Sequence, residues 1–186
     1  MNRLLVIGSL CVVVFMTALI ACADEPEDAA AKGDVDAQLK LGLQLLSDTD
    51  TKNNIDGVKW LEMSAAGGNI VADYNLGAIH QDGTEVKKDA NKAMLHLSIA
   101  AELGEVRAMN RLAGIYFKGE IVPQNDILAV KWAIIAAGLG SETAQKNVER
   151  MKPDVSERDR VLGGTSAQSW VKRRSAILFP KNDVPK

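Results

Sequence analysis

The side chains best suited to chemistry near neutral pH are the chain's two histidines, His80 and His96. An imidazole of ordinary pKa changes charge between about pH 5 and 8 and can ligate a metal through either nitrogen. Two rings facing each other would form a pH-sensing or metal-binding pair. Two rings that merely pack would each replace an aromatic side chain and find one hydrogen-bond partner. Other chemistries find no support. Gly164-Thr165-Ser166-Ala167-Gln168 lacks the second glycine of a nucleophile elbow, Gly138-Leu139-Gly140 opens no phosphate-binding fingerprint, and no Gly-Lys-Ser run occurs. The histidines do not have zinc-ligand spacing. Asp48-Thr49-Asp50 fails as a calcium loop because the place of the bidentate glutamate is taken by Lys59. The expectation is a chain with no catalytic residue, no cofactor and no metal. Its formal net charge of −2 provides no basic stripe for nucleic acid, so nucleic-acid partners are set aside.

The elements that must position the histidines follow from a repeat. Gly68, Gly104 and Gly140 stand 36 residues apart, and the same interval relates Ala65, Ala101 and Ala137, then Ala72, Ala108 and Ala144, then Asn53, Asp89 and Asn125. A fixed period in the thirties marks a solenoid, whose units bury their apolar faces only by stacking on one another. Ala72, Leu76, Ile79 and His80 fall on one face of a first helix, as do Ala108, Leu112, Ile115 and Tyr116 in the next unit and Ala37, Leu41, Gln44 and Leu45 in the one before. Gly83 and Gly119 follow at turns that call for a positive φ. Asn53, Asp89 and Asn125 are residue types that cap a helix N-terminus, so each is expected to open a second helix. Each second helix then ends at Gly68, Gly104 or Gly140 in a left-handed C-cap. His80 lies on the first helix of the middle unit and His96 on the second, which allows the two to face each other. Small residues at Gly42, Gly77 and Ala113 let helices approach, while Trp60 and Trp132 are expected to fill the space between units. The first unit is one residue shorter at its turn.

The two ends of the chain read differently. Met1, Asn2 and Arg3 precede an apolar run from Leu4 to Ile20, the pattern of a secretory signal, here given residues 1–21. Two processing routes stay open. Leu19-Ile20-Ala21-Cys22 resembles the lipobox of bacterial lipoproteins, which would make Cys22 the lipidation site, and Ala21-Cys22-Ala23 fits ordinary export. The lipoprotein is the favoured route. With Ala23 after the cysteine, that resemblance implies the outer membrane, with contact to the membrane only through an N-terminal lipid. Residues 22–32 are read as a linker, 33–152 as the repeat array, 153–174 as C-terminal capping helices and 175–186 as a flexible tail. In the capping region Gly163-Gly164 is expected to interrupt a helix, Trp170 to cover the open end, and Lys172, Arg173 and Arg174 to form a solvated basic cluster.

The pattern Ala72-x3-Leu76-Gly77, then Gly83, Asp89, Ala93-x6-Ala100-Ala101 and Gly104 resembles the Sel1-like repeat, a relative of the tetratricopeptide repeat, over roughly Gly33 to Gly140. The resemblance implies an all-α fold, an α-solenoid of stacked antiparallel helix pairs with about three repeats and a C-terminal capping helix. Gly68, Gly104, Gly140, Ala72, Ala108, Ala144, Trp60 and Trp132 would be its structural residues. His80 and His96 stand where the family has aromatic residues. The family further implies a non-enzymatic adaptor or scaffold that binds a protein partner, exported to the periplasm. A periplasmic immunity protein that neutralises a secreted phospholipase effector is one alternative, and an envelope hydrolase a weaker one. The penicillin binding linked to cysteine-bearing secreted members is not carried over, because the repeats contain no cysteine.

Overall fold

The structure is a computed structural model that describes residues 26–47 and 51–178. Every regular element among them is helical: α1 (Pro26–Ala31), α2 (Val35–Leu46), α3 (Thr51–Ala66), α4 (Ile70–Asp82), α5 (Ala90–Glu102), α6 (Val106–Lys118), α7 (Asp126–Gly138), α8 (Glu142–Met151) and α9 (Glu157–Leu178). Three antiparallel pairs, α2 with α3, α4 with α5 and α6 with α7, stack in sequence order, and α8 adds the first helix of a further pair. This is the expected solenoid.

The period has a physical cause at each joint. Where a second helix ends, Gly68, Gly104 and Gly140 adopt φ of 93°, 103° and 92°, a region closed to most side chains. Their amides bond back to Ala65, Ala101 and Ala137, while the next amides, of Asn69, Glu105 and Ser141, reach Ser64, Ala100 and Ala136. That pair of bonds is a Schellman closure. The same residues that complete it, Asn69, Glu105 and Ser141, then cap the following first helix with their side chains. One short segment thus both stops a helix and starts the next, which fixes the angle between units.

Several expectations need correction. Asp89 and Asn125 cap α5 and α7, but Asn53 lies inside α3, which already begins at Thr51. Thr51 and Lys52, ahead of Asn53, are already helical, so Asn53 cannot stand at the N-cap. The expected linker 22–32 contains α1, which closes through Gly33, with φ 92°, in the manner of the second helices, and so occupies the place of a preceding unit's last turn. Gly163-Gly164 does not interrupt the last helix: α9 runs unbroken to Leu178, past the expected limit at 174 and through residues 175–178 of the expected tail. Gly163 is there for closeness, since a Cβ on it would lie 2.7 Å from Val130 and 2.9 Å from the carbonyl of Ile127 on α7. Trp60 is only half-buried at the N-terminal end, beside Leu41 and Leu45, whereas Trp132 is buried. Cys22, the expected signal segment 1–21 and residues 179–186 lie outside the described residues.

The buried residues form two clusters, a smaller one around Leu61 and Leu76 and a larger one that includes Leu97, Met109, Leu112 and Trp132 and ends on Met151 and Trp170. Ala72, Ala108 and Ala144 are fully buried, which is why no larger residue recurs in that slot. The last helix does not pair with α8. It crosses the outer face of α7, where Trp170 meets Trp132 edge to face at 6.4 Å.

Candidate functional site

The wall formed by the first helices carries a run of polar contacts across the unit boundaries. Arg107 and Arg111, four residues apart on α6, share one face of that helix. Both guanidinium groups lie over the ring of Tyr74 on α4, at 4.4 and 5.9 Å from its centre. Arg111 also donates to Gln81 (2.9 Å) and, through both terminal nitrogens, to the Asp82 carboxylate (3.2 and 3.0 Å). Such two-point pairing fixes the arginine in place. Arg107 donates through Nε to Glu105 at 2.8 Å, and that bond holds the Glu105 carboxyl below the usual carboxylate range. At the neighbouring joints Asn69 donates to Asp36 (3.0 Å) and Asn110 to Ser141 (2.9 Å). The wall is therefore built of oriented donors, acceptors and one aromatic ring, contributed by successive units.

Behind that wall sit the histidines. The structure brings them together: the rings of His80 and His96 stack with centroids 6.3 Å apart and planes 13° from parallel. His96 Nδ1 bonds Asp73 Oδ1 at 2.8 Å, the one partner expected of a packed ring. His80 departs from that expectation, being 5% exposed with neither nitrogen bonded. Burial pushes the His80 pKa down, and Lys92 and His96 push in the same direction. Among the described residues no group of three or more His, Cys, Asp and Glu could hold a metal ion.

A second constellation, unmarked by any motif in the sequence, centres on Glu102. Its carboxylate accepts from Trp170 Nε1 at 2.6 Å and from Lys131 Nζ at 3.4 Å, and Lys131 lies 3.9 Å over the Trp132 ring. Arg174 donates to the carbonyls of Glu102 (2.7 Å) and Leu103 (2.6 Å), groups left open at the end of α5. Arg174 is thus a clasp between α9 and α5, not a solvated charge as expected; Lys172 and Arg173 are exposed. The repeat could not announce this arrangement, because the slot of Glu102 holds Ala66 and Gly138 in the other units.

Residues 35–69, 70–105 and 106–141 each match the Sel1 repeat. The chain is similar to the chitin synthase regulator SKT5 of Saccharomyces cerevisiae, with 35% identity over 127 residues, 62% of this chain and 18% of that protein. The match therefore spans less than a fifth of the yeast relative. Among solved structures, the fold is similar to that of a protective antigen present in uropathogenic Escherichia coli strains displaying an SLR fold, with a TM-score of 0.74, 24% identity, and coverage of 87% of this chain and 36% of that one. It is also similar to a Sel1 repeat protein from Oxalobacter formigenes, with a TM-score of 0.60, 32% identity, and coverage of 67% of this chain and 95% of that one.

Proposed function

We propose that this chain, which belongs to the Sel1 repeat family, is a non-enzymatic adaptor of the bacterial periplasm, held at the outer membrane by a lipid on Cys22. Sel1 repeat proteins are in general protein-interaction modules, and the fold is typically a protein-binding scaffold. One observation carries the reading for this chain: three units in one register present a continuous wall of positioned groups, from Asp36 and Asn69 through Tyr74, Arg107 and Arg111 to Asn110 and Ser141. Groups already held in place lose little freedom when a protein segment docks, which is what gives a repeat surface its affinity. The export part of the reading rests on the apolar run Leu4 to Ile20 and on Leu19-Ile20-Ala21-Cys22.

The test places a photocrosslinking amino acid at Tyr74 in the full chain, in its native envelope, and identifies what is captured by mass spectrometry. A specific protein lost in the Arg111→Glu background supports the reading. Capture that is indifferent to that charge reversal, or no capture at all, overturns it. The immunity reading is the special case in which the captured protein is a secreted phospholipase. Localisation has its own test: the mature N-terminus should be a diacylated Cys22, and a mature chain that begins elsewhere removes the lipid anchor from the proposal.

A further inference from the structure

The first unit carries a cleft of about 480 Å³ at the N-terminal end of the stack. Leu41 and Leu45 of α2 and Trp60 and Met63 of α3 line it, together with Glu27 of α1. Met63 is 47% exposed and Trp60 half-buried. Lys59, which also lines the cleft, pairs with Asp56 at 2.8 Å, so its charge is already matched. The end of a solenoid is ordinarily closed by a polar outer face. This end shows an indole and a thioether instead. Lys59, Trp60 and Met63 hold the slots of Lys131, Trp132 and Ile135, which α9 covers in the third unit. Connectivity says what stands near the uncovered end. From Cys22 to Pro26, where α1 begins, the backbone spans at most about 14 Å. Glu27, in the first turn of α1, already lines the cleft. A lipid on Cys22 would therefore hold this end of the stack, and not the end closed by α9, against the bilayer.

We infer that the cleft of the first unit rests on the membrane surface, with Trp60 and Met63 at the level of the lipid headgroups. The inference rests on the proposed lipid at Cys22 and adds which face of the domain meets the bilayer. Tryptophan suits that level because its ring is apolar and its indole N–H polar. The surface that fits is zwitterionic. Glu27 and Asp28 stand in the first turn of α1 and Lys59 is paired, so an anionic surface would be repelled rather than attracted. The bilayer then supplies for the first unit the cover that α9 supplies for the third.

The test uses the full chain, exported and processed in its native envelope, then reconstituted in phosphatidylcholine vesicles whose acyl chains are brominated near the headgroup. Intact mass first establishes whether Cys22 carries a lipid. Bromine quenches an indole on contact, and the anchor's own acyl chains carry none, so only the bilayer is reported. Relative to unbrominated vesicles, the lipidated protein should lose about a third of its tryptophan emission, because one indole of three is reached while Trp132 and Trp170 are buried. Trp60→Phe should abolish that loss. Met63→Asp, at a position exposed enough for the fold to keep, should reduce it by at least about half, since a carboxylate resists leaving water. A lipidated protein whose emission bromine leaves unchanged overturns the inference while the anchor stands, as does a loss that persists in Trp60→Phe or is indifferent to Met63→Asp. A mature chain without lipid on Cys22 removes the anchor and the inference together, and leaves the adaptor reading to the Tyr74 crosslinking.

Discussion

Trp60 and Trp132 occupy the same slot of the repeat, two periods apart, yet one is half-open and the other closed. The contrast extends around them: Met63 is 47% exposed where its counterpart Ile135 is 3%, and Lys59 is exposed where Lys131 is buried. The difference is α9. In the third unit that helix lies over the outer face of the second helix and brings Trp170 onto Trp132; over the first unit nothing comparable lies among the described residues. A repeat sequence thus assigns a residue its slot and direction, whereas the neighbour laid over the slot assigns its energy. Two tryptophans that read alike along the chain should behave differently in the molecule.

The largest effect should come from emptying the closed slot. Trp132→Ala removes a buried indole with its edge-to-face partner and should cost about 3–5 kcal/mol, whereas Trp60→Ala should cost about 1–2 kcal/mol because water already reaches the ring. Urea unfolding monitored by circular dichroism measures both, and equal losses would break the comparison. Next is the fit of α9 itself. Gly163→Ala would force a methyl against Val130 and the Ile127 carbonyl, at a cost of about 1–3 kcal/mol. Gly164→Ala meets nothing closer than 3.8 Å and should raise stability by about 0.5–1 kcal/mol through helix propensity. Opposite signs at adjacent glycines would sharpen the case that α9 is seated by contact. A smaller loss, about 1 kcal/mol, is expected for Glu102→Gln, which weakens the bonds to Lys131 and Trp170 at a half-exposed carboxylate. Faster amide exchange in the C-terminal half of α9, with α2 to α5 unchanged, would place that loss at the clasp.

What was legible in the sequence was whatever the period repeats. The alanine, glycine and cap positions announce the pairs because each unit solves the same problem of stopping one helix and starting another. The side-chain caps Asn69, Glu105 and Ser141 are not legible from the repeat, since three residue types fill that role and only their place recurs. Asn53 has the residue type of a cap but sits in the first turn of α3, which begins at Thr51, because cap chemistry in sequence does not fix where a helix starts. The path of α9 was illegible for another reason. Its contacts join residues about seventy positions apart, such as Trp170 with Glu102, and no local pattern encodes such a pair. Gly163-Gly164 even pointed the wrong way, because a glycine required for close helix packing looks in sequence like one that ends a helix. Of the candidate site, the meeting of His80 with His96 followed from the pairing of helices. The bond from His96 to Asp73 did not, and neither did the unpartnered state of His80.

The middle unit offers the finest test of how much a slot depends on its surroundings, because His80 stands where the third unit has Tyr116. In the fold, burial holds the His80 pKa below the ordinary 6.5, with Lys92 and His96 acting in the same direction and Asp89 and Glu62 opposing. Asp73, which bonds His96, is the further charged group beside the pair. A histidine of lowered pKa binds fewer protons folded than unfolded, so stability is complete above the unfolded value and is lost as the pH falls below it. Between about pH 7.5 and about pH 5.5 that loss is at most on the order of 1 kcal/mol. Thermal melts should therefore fall on acidification in the wild type, while His80→Tyr, which installs the third unit's residue, should flatten that fall. A wild-type profile already flat over this range would show that water or a shift of His96 accommodates the proton at no cost. An equal fall in His80→Tyr would move the titration to another group. His96→Gln separates the partners: it removes the bond to Asp73 yet leaves His80 buried, so the acid loss should shrink without disappearing, in keeping with burial as the leading cause and His96 as a lesser one.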